Sequence, residues 1–272
     1  MSRSLARLVA GFARLVTWPT SARQRARTYA RVRDYFDRAA VERITTRHGP
    51  LAFYVHSGAA AASAVHTFLT EEPETIAWID NRIRPGEVVW DVGANIGLYA
   101  CYAARAGARV IAIEPSGINF GQLVAHVELN GLADVVAPYC LALTEASRAT
   151  ELFMSGFEAG HAFSSIGAPE SQVSVFDPVF RQATLAFAAD DLVERFALPT
   201  PDHLKIDVDG AEIPILRGAE GLLKDVRSVL IEVEGRNAER LDSDILPLMS
   251  AAGLNLVPSD GSSARNRVFI RA

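Results

Sequence analysis

The spacing of apolar residues changes character along the chain. Over residues 5–16, Leu5, Leu8, Val9, Phe12, Leu15 and Val16 recur at helical intervals. At about 100° per residue they share one face, with Arg3, Arg7 and Arg14 on the other. An Arg-rich helical pattern continues over 21–47, and Glu71-Glu72-Pro73-Glu74 opens a further helix that stops near Pro85-Gly86. From Val88 onward, short buried-strand runs alternate with helical stretches. Val88–Val92, Arg109–Ile113, Val135–Tyr139, Leu204–Val208 and Val229–Val233 read as strands. Ile96–Ala106, Phe120–Asn130 and Ile215–Leu223 read as helices.

This alternation predicts an α/β fold of the Rossmann-like kind, a mostly parallel sheet with helices on both faces and ligand at the carboxyl ends of the strands. The domain expected at 69–272 follows an N-terminal helical, Arg-rich extension at 1–68. The interval of about 143–190 is too long for a simple crossover. Its Val173/Val175 and Leu185/Phe187 alternations suggest an inserted hairpin or ribbon framing a substrate site. At the end, Asn255–Pro258 and Arg267–Ile270 read as an antiparallel pair turning around Asp260-Gly261.

Composition narrows the class. With 49% hydrophobic and 22% charged residues, the 272-residue chain can bury a sizeable core, which excludes disordered and fibrous classes. Cys101 and Cys140 are too few, and too far from any paired spacing, for a disulfide scaffold or zinc site. The net charge of −5 conceals +8 on residues 1–50 and −13 on the rest. An acidic body argues against nucleic acid as a partner. Arg7 and Arg14 interrupt any secretory apolar run, so a cytoplasmic protein is expected; the cationic amphipathic helix reads first as docked on its own domain, next as peripheral membrane or partner contact through residues 1–20, and last as a mitochondrial presequence.

The strongest local signal is Val88-Val89-Trp90-Asp91-Val92-Gly93-Ala94-Asn95-Ile96-Gly97, a strand running into a glycine turn and then a helix. A dinucleotide site would show G-x-G-x-x-G and set a pyrophosphate on the helix N-terminus. Asp91, two residues before the first glycine, would repel a pyrophosphate. It suits S-adenosylmethionine, which carries an ammonium and a sulfonium. Glu114 closes the next strand, seventeen residues after Gly97, where a carboxylate can hold a ribose diol. The cofactor set expected is Asp91, Gly93, Asn95, Gly97, Glu114, Asn119 and Ala142.

These residues resemble the FkbM family of S-adenosylmethionine-dependent methyltransferases over about Phe68 to Glu234. The resemblance lies in Glu72-Pro73-Glu74-Thr75 with Trp78-Ile79, and in Trp90 to Gly97 with Asn95 where many methyltransferases have glycine. It continues in Glu114-Pro115, Asn119-Phe120 and Leu129-Asn130-Gly131, in Leu204 to Glu212 with Leu216 and Gly218-Ala219, and in Ile231-Glu232-Val233-Glu234. It implies methyl transfer to oxygen, with hydroxyls of sugars, glycans or small natural products as acceptors. Asp209 stands where the family usually has Glu. The competing reading is a membrane-associated or scaffold protein that keeps the fold without turnover.

A hydroxyl acceptor needs its proton taken up in an in-line displacement. The candidates are Asp207 and Asp209, alternating with Ile206 and Val208 at the end of the fourth strand, and Glu232 and Glu234 on the fifth. His161 in the inserted region is the histidine best placed to reach an acceptor, ahead of His203. Asp209-x-x-Glu212 also reads as a capping box, against which Pro214 argues, and Lys205 as a structural partner of the acids. No metal is assigned. The chain lacks the Asn-Pro-Pro-aromatic run of enzymes that methylate nucleic-acid amines.

Overall fold

The computed structural model describes residues 2–171, 174–258 and 265–271. The chain divides into two compact units, Met1–Val41 and Glu42–Ala272. Residues 42–68, grouped by sequence with the extension, therefore pack within the second unit. The first unit holds α1 (Ser2–Thr17) and α2 (Ala22–Ala39), the second of which starts on a Ser21/Gln24 capping box. Thr17 Oγ1 and Tyr29 Oη lie 3.1 Å apart, and Arg25 Nη1 donates to Thr20 O.

The helical pattern read to residue 47 ends earlier than expected. Val41–Thr46 (β1) and Gly49–Tyr54 (β2) form a two-stranded ribbon, because Val41, Ile44, Thr45 and Thr46 are β-branched and suit extended backbone. Then come α3 (Ala59–Thr67) and α4 (Pro73–Arg82). The alternating units follow: β3 (Val88–Val92), α5 (Leu98–Arg105), β4 (Arg109–Ile113), α6 (Gly117–Leu129) and β5 (Val136–Tyr139). After them lie β6 (Ala142–Leu143), β7 (Arg148–Met154), β8 (Ser164–Ile166), β9 (Phe180–Phe187) and α7 (Ala189–Phe196). The chain continues through β10 (His203–Ile206), α8 (Glu212–Arg217), β11 (Ser228–Glu232), α9 (Gly235–Glu239), α10 (Leu246–Ala251), β12 (Leu254–Leu256) and β13 (Asn266–Arg271).

Seven strands form the main sheet in the order β12-β13-β11-β10-β3-β4-β5. The five strands β11, β10, β3, β4 and β5 are parallel, and β13 runs antiparallel to both β11 and β12. This is the expected Rossmann-like arrangement, with the tail closing one edge; the Asp260-Gly261 turn lies outside the described residues. Alternate strand residues feed two cores. Val89, Val110 and Ala112 join Phe53, Phe68, Trp78 and Leu123 on one face. Trp90, Val92, Ile111, Ile113 and Ile206 join Leu192, Leu216 and Met249 on the other.

β6, β9, β7 and β8 make a second, four-stranded sheet within the interval read as an insertion, with β7 antiparallel to β8 and β9. Leu185 and Phe187 lie in β9, while Val173 is outside the described residues. Two boundaries differ from expectation. β10 ends at Ile206, so Asp207 to Gly210 is loop. The helix expected over 215–223 starts at Glu212, which puts Pro214 in its first turn, where a missing N–H costs nothing. Among the described residues no helix is long and apolar enough to cross a membrane. Cys101 is buried and Cys140 exposed, and neither is in a disulfide.

Candidate active site

The carboxyl ends of β3, β4, β10 and β11 open on one cavity, roofed by α3, the start of α4 and the inserted sheet. Gly93, Asn95, Glu114, Asn119, Ala142, His161, Asp207, Asp209 and Glu232 all line it. Parallel strands set side by side deliver their end residues to a common edge, which is why acids at or just after the ends of β4, β10 and β11 meet there.

The glycine turn is built for close approach. Gly93 has φ +82°, and a Cβ there would lie 1.8 Å from the Asp207 carbonyl oxygen. Any side chain would force apart the turns that follow β3 and β10. Asn95 (φ 49°) brings a side-chain oxygen that is buried without a hydrogen-bond partner. Glu114 Oε2 accepts from the Asn95 N–H at 2.9 Å and Oε1 from the Ser116 N–H at 2.8 Å. Each oxygen keeps further acceptor capacity. Burial, only partly offset by those two N–H donors, pushes the Glu114 carboxyl up to about 7.

Two members of the expected cofactor set stand outside the cavity. Asp91 is 2% exposed and lies behind the lining, its Oδ1 3.7 Å from Lys205 Nζ. Gly97 turns toward α6 instead: its φ is +84°, and a Cβ there would be 2.4 Å from Leu123 Cδ1. Asn119 lines the cavity but also ties down the insertion, its Oδ1 accepting from Gly160 N at 2.9 Å and its Nδ2 donating to His161 O at 3.3 Å.

Packed against the glycine turn is an acidic segment whose Asp207 pairs with one buried lysine. Lys205 Nζ is 2.8 Å from Asp207 Oδ2 and lies over the Tyr99 ring, 5.1 Å from its centroid. Lys205 pairs in register with Asp91 across β10 and β3. Asp209 does not cap α8. Its φ is 58°, its Oδ2 accepts from Phe163 N at 2.7 Å, and burial pushes it up to about 6. Glu212 turns back into the loop as well, accepting from Val208 N, Gly210 N and Asn237 Nδ2. The capping-box alternative is therefore not what the loop uses. Glu232 is pushed up to about 9 by burial and then by the charges of Asp207 and Glu234, all of which favour its protonated form.

His161 lines the cavity, with Nδ1 2.5 Å from the Ala162 carbonyl oxygen. His203 belongs to the opposite end of β10, where its ring nitrogens meet Ser228 Oγ at 2.7 Å and Glu87 Oε2 at 2.9 Å. His126 is structural too. Burial lowers it to about 4, and a proton on Nδ1 lets it donate to Ile96 O while Nε2 accepts from Tyr54 N.

Sequence reasoning missed Glu72, Tyr99, Phe163 and Arg265, all of which line the cavity. Glu72 precedes the Pro of α4 and accepts from Thr75 Oγ1 at 2.8 Å, a local signal that could have placed it. Phe163 and Arg265 carry no such signal. Asn95, Phe163 and Asp209 are three of the four non-glycine residues with positive φ among those described, and all three line the cavity. Backbone held in that region collects where function over-determines it.

A Rossmann-like sheet whose first turn is glycine-cradled without G-x-G-x-x-G, and whose second strand ends in a buried acid, fits the class of S-adenosylmethionine-dependent methyltransferases. The Methyltransferase FkbM domain model matches residues 91–256, more than half of the chain, and the chain belongs to that family. It is 26% identical over 187 residues to the hexuronic acid methyltransferase AglP of Haloferax volcanii, covering 69% of this chain and 71% of that protein. It is 26% identical over 200 residues to the 31-O-demethyl-FK506 methyltransferase FkbM of Streptomyces tacrolimicus, covering 64% of this chain and 75% of that one. Among solved structures, a methyltransferase FkbM from Methylobacillus flagellatus KT aligns with a TM-score of 0.45 at 17% identity, covering 78% of this chain. The chain spans about half of that molecule, 53% of its length.

The residues present fit the cofactor. Gly93 lines the cavity without a side chain to fill it, the buried Asn95 oxygen is free to accept a donor, and Glu114 is a carboxylate that a cation would favour in its ionised form.

Proposed function

We propose that the chain transfers a methyl group to a hydroxyl of a sugar, glycan or hydroxylated natural product. One observation carries the reading: Glu114 and Asn95, together with Asp207, Asp209 and Glu232, line one cavity. S-adenosylmethionine supplies a methyl on a sulfonium. In this reading Glu114 holds the ribose diol, Asn95 and Gly93 shape the turn around the donor, and Asn119 and Ala142 complete the lining around it. Asp91 acts at one remove, by setting Lys205, which orients Asp207.

Carboxylates are the natural partners of hydroxyl groups, since each oxygen accepts an O–H. Asp207 would take up the proton of the acceptor hydroxyl as its oxygen receives the methyl, the pair of the broken C–S bond staying on the donor sulfur. Protonated Glu232 donates to the acceptor, and His161 and Phe163 cover it from the insertion. The relatives support the oxygen assignment: one is named for a hexuronic acid and the other for a 31-O-demethyl substrate.

The test is turnover of labelled donor with neutral sugars, uronic acids and hydroxylated macrolides. The expected product carries the label on an ether oxygen. Labelling confined to nitrogen or carbon acceptors would end the hydroxyl reading. Binding of S-adenosylhomocysteine, with NAD as the control, separates failure of the acceptor choice from failure of the donor site.

A further inference from the structure

Half of the large exposed apolar side chains lie in the first unit. Of twenty such side chains among the described residues, ten fall between Leu8 and Phe36. On α1 they are Leu8, Val9, Phe12, Leu15 and Val16, with Trp18 just beyond; Phe12 is 69%, Leu15 73% and Trp18 82% exposed. At about 100° per residue the five on α1 form one stripe, and Arg7 and Arg14 lie across the helix from it. α2 carries six arginines, and residues 1–41 hold nine arginines against Asp34 and Asp37 alone.

We propose that this unit docks on an anionic lipid surface, with α1 lying flat in the headgroup layer. An apolar stripe backed by arginines has two needs, removal from water and a dense field of negative charge, and an anionic bilayer meets both. Arginine also binds headgroup phosphate with a bidentate fork. α1 is 16 residues long, and no described helix can cross a membrane, so the helix rests on the surface. A second copy of the chain is the poorer occupant. It would set nine more arginines beside the first nine, with only two aspartates per unit to balance them. The remaining residues of the chain are net acidic, so the attraction is local to this unit and falls steeply with salt.

The experiment is co-sedimentation of the full chain with phosphatidylcholine vesicles, with and without phosphatidylglycerol. Wild type should partition at least about tenfold better onto the anionic vesicles and lose that preference in high salt. The triple variant L8E/F12E/L15E should lose about tenfold or more in binding, with its melting temperature unchanged because all three positions are exposed. R7Q/R14Q should weaken anionic binding while leaving any binding to neutral vesicles unaltered. Wild type that ignores anionic vesicles, or a triple variant that binds like wild type, overturns the proposal. So does a wild-type dimer in analytical centrifugation that the triple variant dissolves, because a second copy would then occupy the stripe.

Discussion

Asp207 and Glu114 both line the site, and each makes a prediction that the other does not. Asp207 bonds Lys205 at 2.8 Å, and both line the cavity. Asp207→Asn keeps volume and removes charge. If Asp207 takes the acceptor proton, turnover should fall by about 10²- to 10⁴-fold while the affinity for S-adenosylhomocysteine changes little. A merely structural role would lower melting temperature and cofactor affinity together, so the three measurements on one preparation separate the cases. Glu114, pushed up to about 7, should bind a ribose diol best when ionised. Affinity for S-adenosylhomocysteine should therefore rise from about pH 6 to about pH 8, with proton release on binding. Glu114→Gln should cost about ten- to a hundredfold in affinity and flatten that profile, as calorimetry would show. An unchanged profile in the variant would assign the titration to another group.

At the level of elements, the inserted sheet is held over the cavity by a few polar ties. Asn119 on α6 binds both Gly160 and His161, Gln182 on β9 accepts from Gly117 N at 2.9 Å, and Asp209 holds Phe163. Removing the Asn119 side chain deletes two hydrogen bonds worth about 0.5–1.5 kcal/mol each. Asn119→Ala should expose the segment 156–163 to proteolysis and lower kcat/KM by about tenfold or less, with little change in the melting of the main sheet. Limited proteolysis alongside initial rates checks it. Wild-type cleavage and wild-type rates together would show that the tie is idle. The same ties explain why Asp209 cannot cap α8: its carboxylate is already committed across the cavity.

For the whole molecule, the accumulation of buried acids sets the dependence of stability on pH. Folding raises Glu114 and Glu212 from 4.5 to about 7, and Asp209 from 3.8 to about 6. In each case the folded state holds the proton more tightly than the unfolded chain. Between the two values the folded protein binds more protons, so stability falls as pH rises through that window. The melting temperature should therefore decline from about pH 5 to about pH 8, in the absence of cofactor. Glu212→Gln keeps an acceptor for Val208 N and Gly210 N and, with the Asn237 amide turned over, removes a contribution on the order of 3 kcal/mol to that decline. Thermal melts of both proteins across this range test it. A melting temperature that climbs with pH would contradict the assignment.

How much could be read without coordinates follows from the range of each interaction. The period of apolar residues is a local property, so Val88–Val92, Arg109–Ile113 and the parallel sheet were legible, as was the glycine turn at Gly93. Glu114 was legible because the end of a strand is itself a local feature. The β-branched run from Val41 to Thr46 was readable in principle but was masked by the arginine-rich helix before it. What no single sequence contains is which strands become neighbours. Asp91 and Lys205 face each other only because β10 pairs with β3, more than a hundred residues away. Glu72, Phe163 and Arg265 reach the cavity from three separate segments, and His203 is carried to the far end of its strand, away from the chemistry. Side-chain period and turn chemistry belong to the chain itself. Strand order and register belong to the packed sheet, because a buried charge such as Lys205 acquires its partners only when distant backbone is brought beside it.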